Sequence, residues 1–224
     1  MKNKTNLIYH LLIVILIFSG CTVKKYVLSP DFYTSGSNVG LIVITNDIST
    51  LRSGQGALDK ALTRMDKYAM QLQTVKPKLN PESQFKDLHL SLLKSKGKNI
   101  TLVDEEFDEG QFEKFEKPDN NKEYFNKDIR SLRDKYQVDE LMIASISYGL
   151  NINYYGVIEM GKGGYSHIIS QIINLNDNSI IYRSESWGGG ALKSKWDTPP
   201  DYEYLKMAIA TAIYKSIELE KTKY

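Results

Sequence analysis

Cysteine is almost absent from this chain of 224 residues. Cys21 is the only one, so no intrachain disulfide is open to it and no Cys-x-x-Cys metal or redox motif exists. Histidine is nearly as scarce: His10, His89 and His167 form no His-x-x-x-His pair, and a zinc site would have to be completed by carboxylates. No Gly-x-Ser-x-Gly elbow surrounds Ser19, Ser145, Ser170 or any other serine. The GKGG stretch at 161–164 lacks the Ser or Thr of a phosphate-binding loop and is flanked by strand-like residues on both sides, which marks it as a hairpin turn. The acidic run Asp104, Glu105, Glu106, Asp108 and Glu109 lacks the ligand alternation and central glycine of a calcium loop, so it reads as a solvated segment. Charge of one sign is missing too, with 29 Lys and Arg against 27 Asp and Glu, which gives no footing for phosphate-backbone binding. These absences argue for no metal, no cofactor, no nucleic-acid partner and no enzymatic activity.

What is present begins at the N-terminus. Lys2 and Lys4 precede an almost wholly apolar stretch from Leu7 to Phe18, about a dozen residues and short of the roughly 20 that span a bilayer. This is the pattern of a signal peptide. Phe18-Ser19-Gly20-Cys21 then resembles the lipobox at which bacterial signal peptidase II cleaves, with Phe18 where an aliphatic residue is usual. The resemblance implies a lipidated Cys21 carrying several acyl chains, enough for firm anchoring. An uncleaved anchor with a free thiol is the other reading of the same residues. In a host with two membranes, Thr22 in place of Asp after the cysteine resembles the class forwarded to the periplasmic face of the outer membrane. Cleavage removes two bases and no acid, leaving 27 of each. The expected organisation is a signal peptide at 1–20, the lipidated Cys and a tether at 21–38, and one domain at 39–224.

Along the domain, VGLIVIT at 39–45 is a continuous apolar run, the mark of a strand buried on both faces. RSGQG at 52–56 reads as a loop. Ala57, Leu58, Ala61, Leu62, Met65, Ala69 and Leu72 then recur at helical spacing until Pro77 and Pro81. A second helix from about Glu82 places Phe85, Leu88, Leu92 and, beside them, His89 on one face and stops at Gly97, with His89 a packed or half-exposed histidine. A short strand at 100–103, a surface excursion at 104–121 and a third helix through Phe125, Ile129, Leu132 and Tyr136 lead into the apolar strand 138–148. Strand-like residues continue to Met160. After GKGG, strands at 165–175 and 180–187 flank the turn Asn176-Asp177-Asn178-Ser179. Residues 188–200 read as an irregular connector, and Leu205, Ala208, Ile209, Ala212, Ile213 and Ile217 form the stripe of a closing helix. The order predicts an α/β domain whose mixed parallel and antiparallel sheet of about five strands is covered by helices.

VGLIVIT, the join LRDKYQVDELMIASIS, the hairpin IINLNDNSIIYRSES and the helix LKMAIATAIYKSIE together resemble the α/β lipoproteins typified by the curli secretion lipoprotein CsgG, the penicillin-binding-protein activator LpoB and the N-terminal domain of TolB. The resemblance implies a lipid-anchored envelope accessory protein, an activator or assembly factor, that binds another envelope protein. The alternative it carries is a homo-oligomeric secretion or pore component whose subunits contribute hairpins to a barrel, with 151–160 and 165–174 the candidate membrane strands. A hydrolase ranks behind both. With 15 tyrosines in the chain, the expected partner surface is the 148–165 hairpin with Tyr148, Tyr154, Tyr155 and Tyr165, together with Trp187 before the glycine-rich connector.

Overall fold

The computed structural model describes residues 28–62 and 67–224, so the expected signal peptide and Cys21 lie outside the described residues. In chain order the elements are α1 (Pro30–Thr34), β1 (Asn38–Thr45), β2 (Ser49–Ser53), α2 (Ala57–Leu62), α3 (Ala69–Val75), α4 (Pro81–Ser95), β3 (Asn99–Leu102), α5 (Leu132–Tyr136), β4 (Glu140–Tyr155), β5 (Ile158–Asn174), β6 (Ile180–Ala191) and α6 (Glu203–Lys221). The strands form one mixed sheet in the order β3-β1-β4-β5-β6, with β2 also beside β4. β1 lies parallel to β3 and to the first half of β4, from Val39 opposite Glu140 to Thr45 opposite Ile146. β2 takes over that side of β4 from Gly149 to Asn153, and β5 and β6 follow as antiparallel neighbours. This is the expected fold class, with six strands.

The pleat of β4 divides the interior. Met142, Ala144, Ile146, Tyr148, Leu150, Ile152 and Tyr154 enter the larger core, shared with side chains of α1, α3, α4 and α6. Leu141 and Ile143 point the other way, into a smaller core with Ile42, Phe125, Ile129, Leu132 and Ile173. α4 starts where the Asn80 side chain accepts a hydrogen bond from the Ser83 backbone N–H at 3.4 Å, with Pro81 in its first turn. Gly97 ends it at φ 77°. All six residues of the expected stripe on α6 are buried.

α6 lies against a lane of glycines on β5 and β6. A Cβ on Gly164 would sit 2.4 Å from the Ala208 carbonyl group, and one on Gly188 would sit 1.9 Å from the Ala212 carbonyl oxygen. This corrects two expectations. GKGG is not the turn: it lies inside β5, and the chain reverses at Gly156-Val157, where Gly156 takes φ 59°. The residues after Trp187 are not an irregular connector at first, because β6 continues through Gly188, Gly189 and Gly190 to Ala191.

Three further differences have local causes. Part of the expected loop pairs as β2, because Gly149 at φ 148° lets the Ser49 carbonyl oxygen come to 1.9 Å of where a Cβ would stand. The third helix is confined to α5. Phe125 and Ile129 reach the smaller core from irregular chain, whose backbone is held by the Asn178 side chain: its amide donates to the Phe125 and Lys127 carbonyls, and its oxygen accepts from the Ile129 N–H. Packing also begins before residue 39. Leu28 and Phe32 are buried, and Lys98 Nζ fixes α1 from below through Ser35 Oγ and Ser37 Oγ, each at 2.9 Å, and the Phe32 ring at 3.9 Å. Glu140 Oε2 stands 3.6 Å from that ammonium; burial pushes its carboxyl up in pKa against the pull of Lys98.

Gly188→Ala is expected to cost about 2–3 kcal/mol by forcing α6 off the sheet. Gly189→Ala, whose Cβ meets nothing within 4 Å, is expected to change stability by under about 0.5 kcal/mol. Chemical unfolding of the two variants checks the contrast.

Candidate functional site

Two clusters of polar chemistry stand out, and only one is open. The sealed one joins α4, β5, β6 and α6. His89, wholly buried, has Nδ1 3.0 Å from the Phe85 carbonyl oxygen, while its Nε2 faces Ser170 Oγ at 3.2 Å and Glu220 Oε1 at 3.7 Å. Ser184 and Ser186 donate to the two Glu220 oxygens at 3.0 and 2.7 Å. Burial pushes the Glu220 carboxyl up, but the polar groups of His89, Ser186 and Ser170 around it more than offset that and hold its pKa below the ordinary range. A Ser-His-acid relay needs the acid on the imidazole nitrogen opposite the serine. Here serine and acid crowd the same nitrogen and the other is taken by the backbone, so the cluster ties α6 to the sheet and offers a substrate no entry. Among the described residues, no group of three or more His, Cys, Asp or Glu is arranged to hold a metal ion.

The open cluster is at the far end of β4. Sixteen residues of strand carry the β4–β5 hairpin about 50 Å from Glu140. At its tip Tyr155 is 77% exposed and Met160 69%, with Val157 and Ile158 exposed beside them. Gln55 Nε2 donates to the Gly156 carbonyl at 3.1 Å, and α2, with Leu58 and Leu62 exposed, begins two residues later. Isolated apolar residues on a surface are ordinary, whereas a group of them on one projection marks a contact surface.

Glu159 stiffens the base of this tip. Its carboxylate receives Lys162 at 2.6 Å, Lys67 at 2.7 Å, Tyr68 Oη at 2.9 Å and Tyr154 Oη at 3.3 Å. Burial raises its pKa, and the hydrogen bonds from Lys162, Lys67 and Tyr68 outweigh that and bring it to about 2; bonding to Glu159 lifts Lys67 to about 12. Trp196 packs edge-on against Tyr68 at 5.3 Å and closes the group.

The expected partner residues separate in space. Tyr155 is at the tip. Tyr148 and Tyr154 are buried in the larger core, and Tyr165 is buried on the opposite face with its hydroxyl 2.7 Å from Ser49 Oγ. Trp187 is 51% exposed on β6, two strands from β4, stacked on His167 at 3.7 Å. Val157, Ile158 and Met160 lie within the expected 148–165 hairpin but not among its named tyrosines; their signal was an apolar run around the turn glycine Gly156. The membrane-hairpin alternative meets a physical obstacle, since Ile152 and Tyr154 on β4 and Ile168 and Ile172 on β5 belong to the core and present no lipid-facing row.

No protein family matches this chain. No curated protein matches it in sequence either. Solved structures similar in course include the following. The hypothetical protein CT253 of Chlamydia trachomatis is 10% identical, with 84% of this chain and 98% of that one covered, at a TM-score of 0.35. The lipoprotein GNA1162 of Neisseria meningitidis is 9% identical, covering 75% and 90% at 0.33. The PelC dodecamer of Paraburkholderia phytofirmans is 7% identical, covering 81% and 87% at 0.29.

Because the Glu159 pKa is depressed in the fold, its contribution is present above the unfolded value of about 4.3 and is lost as pH falls toward about 2. Glu159→Gln is therefore expected to cost about 1–2 kcal/mol at neutral pH, and to flatten the loss of stability between about pH 4 and pH 2. Urea titrations at several pH values measure both effects.

Proposed function

We propose that this protein is a non-enzymatic, lipid-anchored accessory factor of the cell envelope that binds another envelope protein through the tip of its β4–β5 hairpin. The observation that carries the reading is the group of exposed apolar side chains at that tip, Tyr155, Val157, Ile158 and Met160. Fully burying an aliphatic or aromatic side chain gains about 1.5–3 kcal/mol, so two or three of these in a partner's apolar pocket suffice as a binding anchor. The Glu159 network holds the tip in one shape beforehand, which lowers the ordering cost of binding.

The lipobox supports anchoring at Cys21, in an outer membrane facing the periplasm where the host has two membranes. From Cys21 to Leu28 the chain spans at most about 25 Å. Since α1 packs at the base of the sheet and the hairpin projects from the other end, a tip of this kind reaches past the anchor toward a partner standing off the membrane.

Crosslinking of the full lipidated chain in cells, followed by detergent extraction and mass analysis, is expected to recover one distinct envelope protein. The triple change Tyr155→Ser, Ile158→Ser and Met160→Ser is expected to reduce that recovery at least tenfold, a loss of about 1.4 kcal/mol or more, with an unchanged melting temperature. Recovery undiminished by the triple change refutes docking at the tip. Turnover of an envelope polymer by the purified chain refutes the non-enzymatic reading.

A further inference from the structure

β6 is the last strand of the sheet, and most of its outer edge is unpaired. At the lower end the Ile180 N–H donates to the Glu123 carbonyl at 2.8 Å, and Tyr124 bridges Ser179. From Ile181 to Ala191, no outward backbone group bonds any described residue. Edge strands are ordinarily blunted by proline, lysine and other charges, bulges or a covering segment. β6 contains no proline and no lysine, its one irregularity, at Ile181, lies at the lower end, and its charges, Arg183 and Glu185, face each other at 3.7 Å on the open face of the sheet.

We propose that this edge pairs antiparallel with the same edge of a second copy, about a two-fold axis at Ser186. The open span runs from 181 to 191 and Ser186 is its midpoint, so this register pairs every free residue. An axis at Ser184 drives the partner's Gly188 and Gly190 into the segment from Glu123 to Phe125, and an axis further up leaves the lower edge bare. The register is also self-complementary on the open face of the sheet. Glu185, exposed, comes opposite the partner's Trp187, whose indole N–H bonds nothing among the described residues and whose ring is held flat on His167. Arg183 comes opposite the partner's Gly189, where there is open space, and lies on the diagonal to the partner's Trp187 ring. A donor meets an acceptor and a cation meets an aromatic face twice over, which a strand of unrelated sequence has no reason to supply. The union is a continuous sheet of twelve strands with neither β6 edge left exposed.

Gly189 supplies the test, because a Cβ there meets nothing within 4 Å. Sedimentation of the full lipidated chain in detergent is expected to show a monomer–dimer equilibrium. Gly189→Lys, set against the partner's Arg183 twice by symmetry, is expected to raise the dissociation constant about tenfold, and Gly189→Glu to lower it by a similar factor. Unfolding curves confirm that neither variant alters the fold. A monomer at every concentration overturns the proposal, including one that captures a strand of another protein. So does a dimer whose dissociation constant is unmoved by the two changes, or moved in the same direction by both. The triple change at the hairpin tip is expected to leave this equilibrium unaltered, which keeps failure here distinct from failure of the docking reading.

Discussion

The close approach of α6 to β5 and β6 is the constraint on which most of the molecule depends. Gly164, Gly188 and Gly190 bring two strands to within van der Waals contact of the Ala208 and Ala212 backbone, a separation that any side chain on those strands would prevent. At that spacing Ile209, Ile213 and Ile217 reach the core, and Glu220 arrives directly beneath Ser184 and Ser186. A carboxylate with no exposure is tolerable only when its oxygens are bonded, and Ser184, Ser186 and Tyr224 provide those bonds. The pairing therefore fixes the register of the helix along the sheet as well as its distance from it.

β4 carries the second organising role. Its length lets one strand serve two parallel neighbours in succession, β1 along its first half and β2 along its second, with Gly149 at the point of exchange. The base of the sheet is tied down by Lys98 among Ser35, Ser37 and Phe32, and the far end by Glu159 among two lysines and two tyrosines. Both are charged groups taken partly out of water and compensated by several hydrogen bonds each, which specifies geometry more strongly than apolar contact does. Between them the sheet has one face under helices and one face covered only at its lower end. The projecting tip and the bare edge of β6 are consequences of that uneven coverage.

The sealed His89 cluster shows why residue type is a weak guide to chemistry. Histidine, serine and glutamate converge within hydrogen-bonding range, yet the orientation of the imidazole and the absence of solvent access give them a structural part. His89 was legible in the sequence as a non-catalytic histidine, packed or half-exposed, because it lay beside Phe85 and Leu88 on an apolar helix face; the structure buries it wholly. Its partners on β5, β6 and α6 were not, since they are 81 to 131 residues away along the chain.

The sequence by itself determined the fold class, the burial of β1 and β4, the sign of every pairing except that of β2 and the stripe of α6, because these follow from local hydrophobic period and from whether a connection is a helix or a tight turn. Tertiary structure alone decided what the glycines of β4, β5 and β6 do. Gly156 and the GKGG run look alike as turn formers; one reverses the chain, while the other makes room for a helix more than forty residues further on. It also decided which tyrosines see water. Tyr154 and Tyr155 are adjacent and chemically identical, and the pleat sends one to the core and the other to the tip, a choice set by the β4 register against β2 and β5.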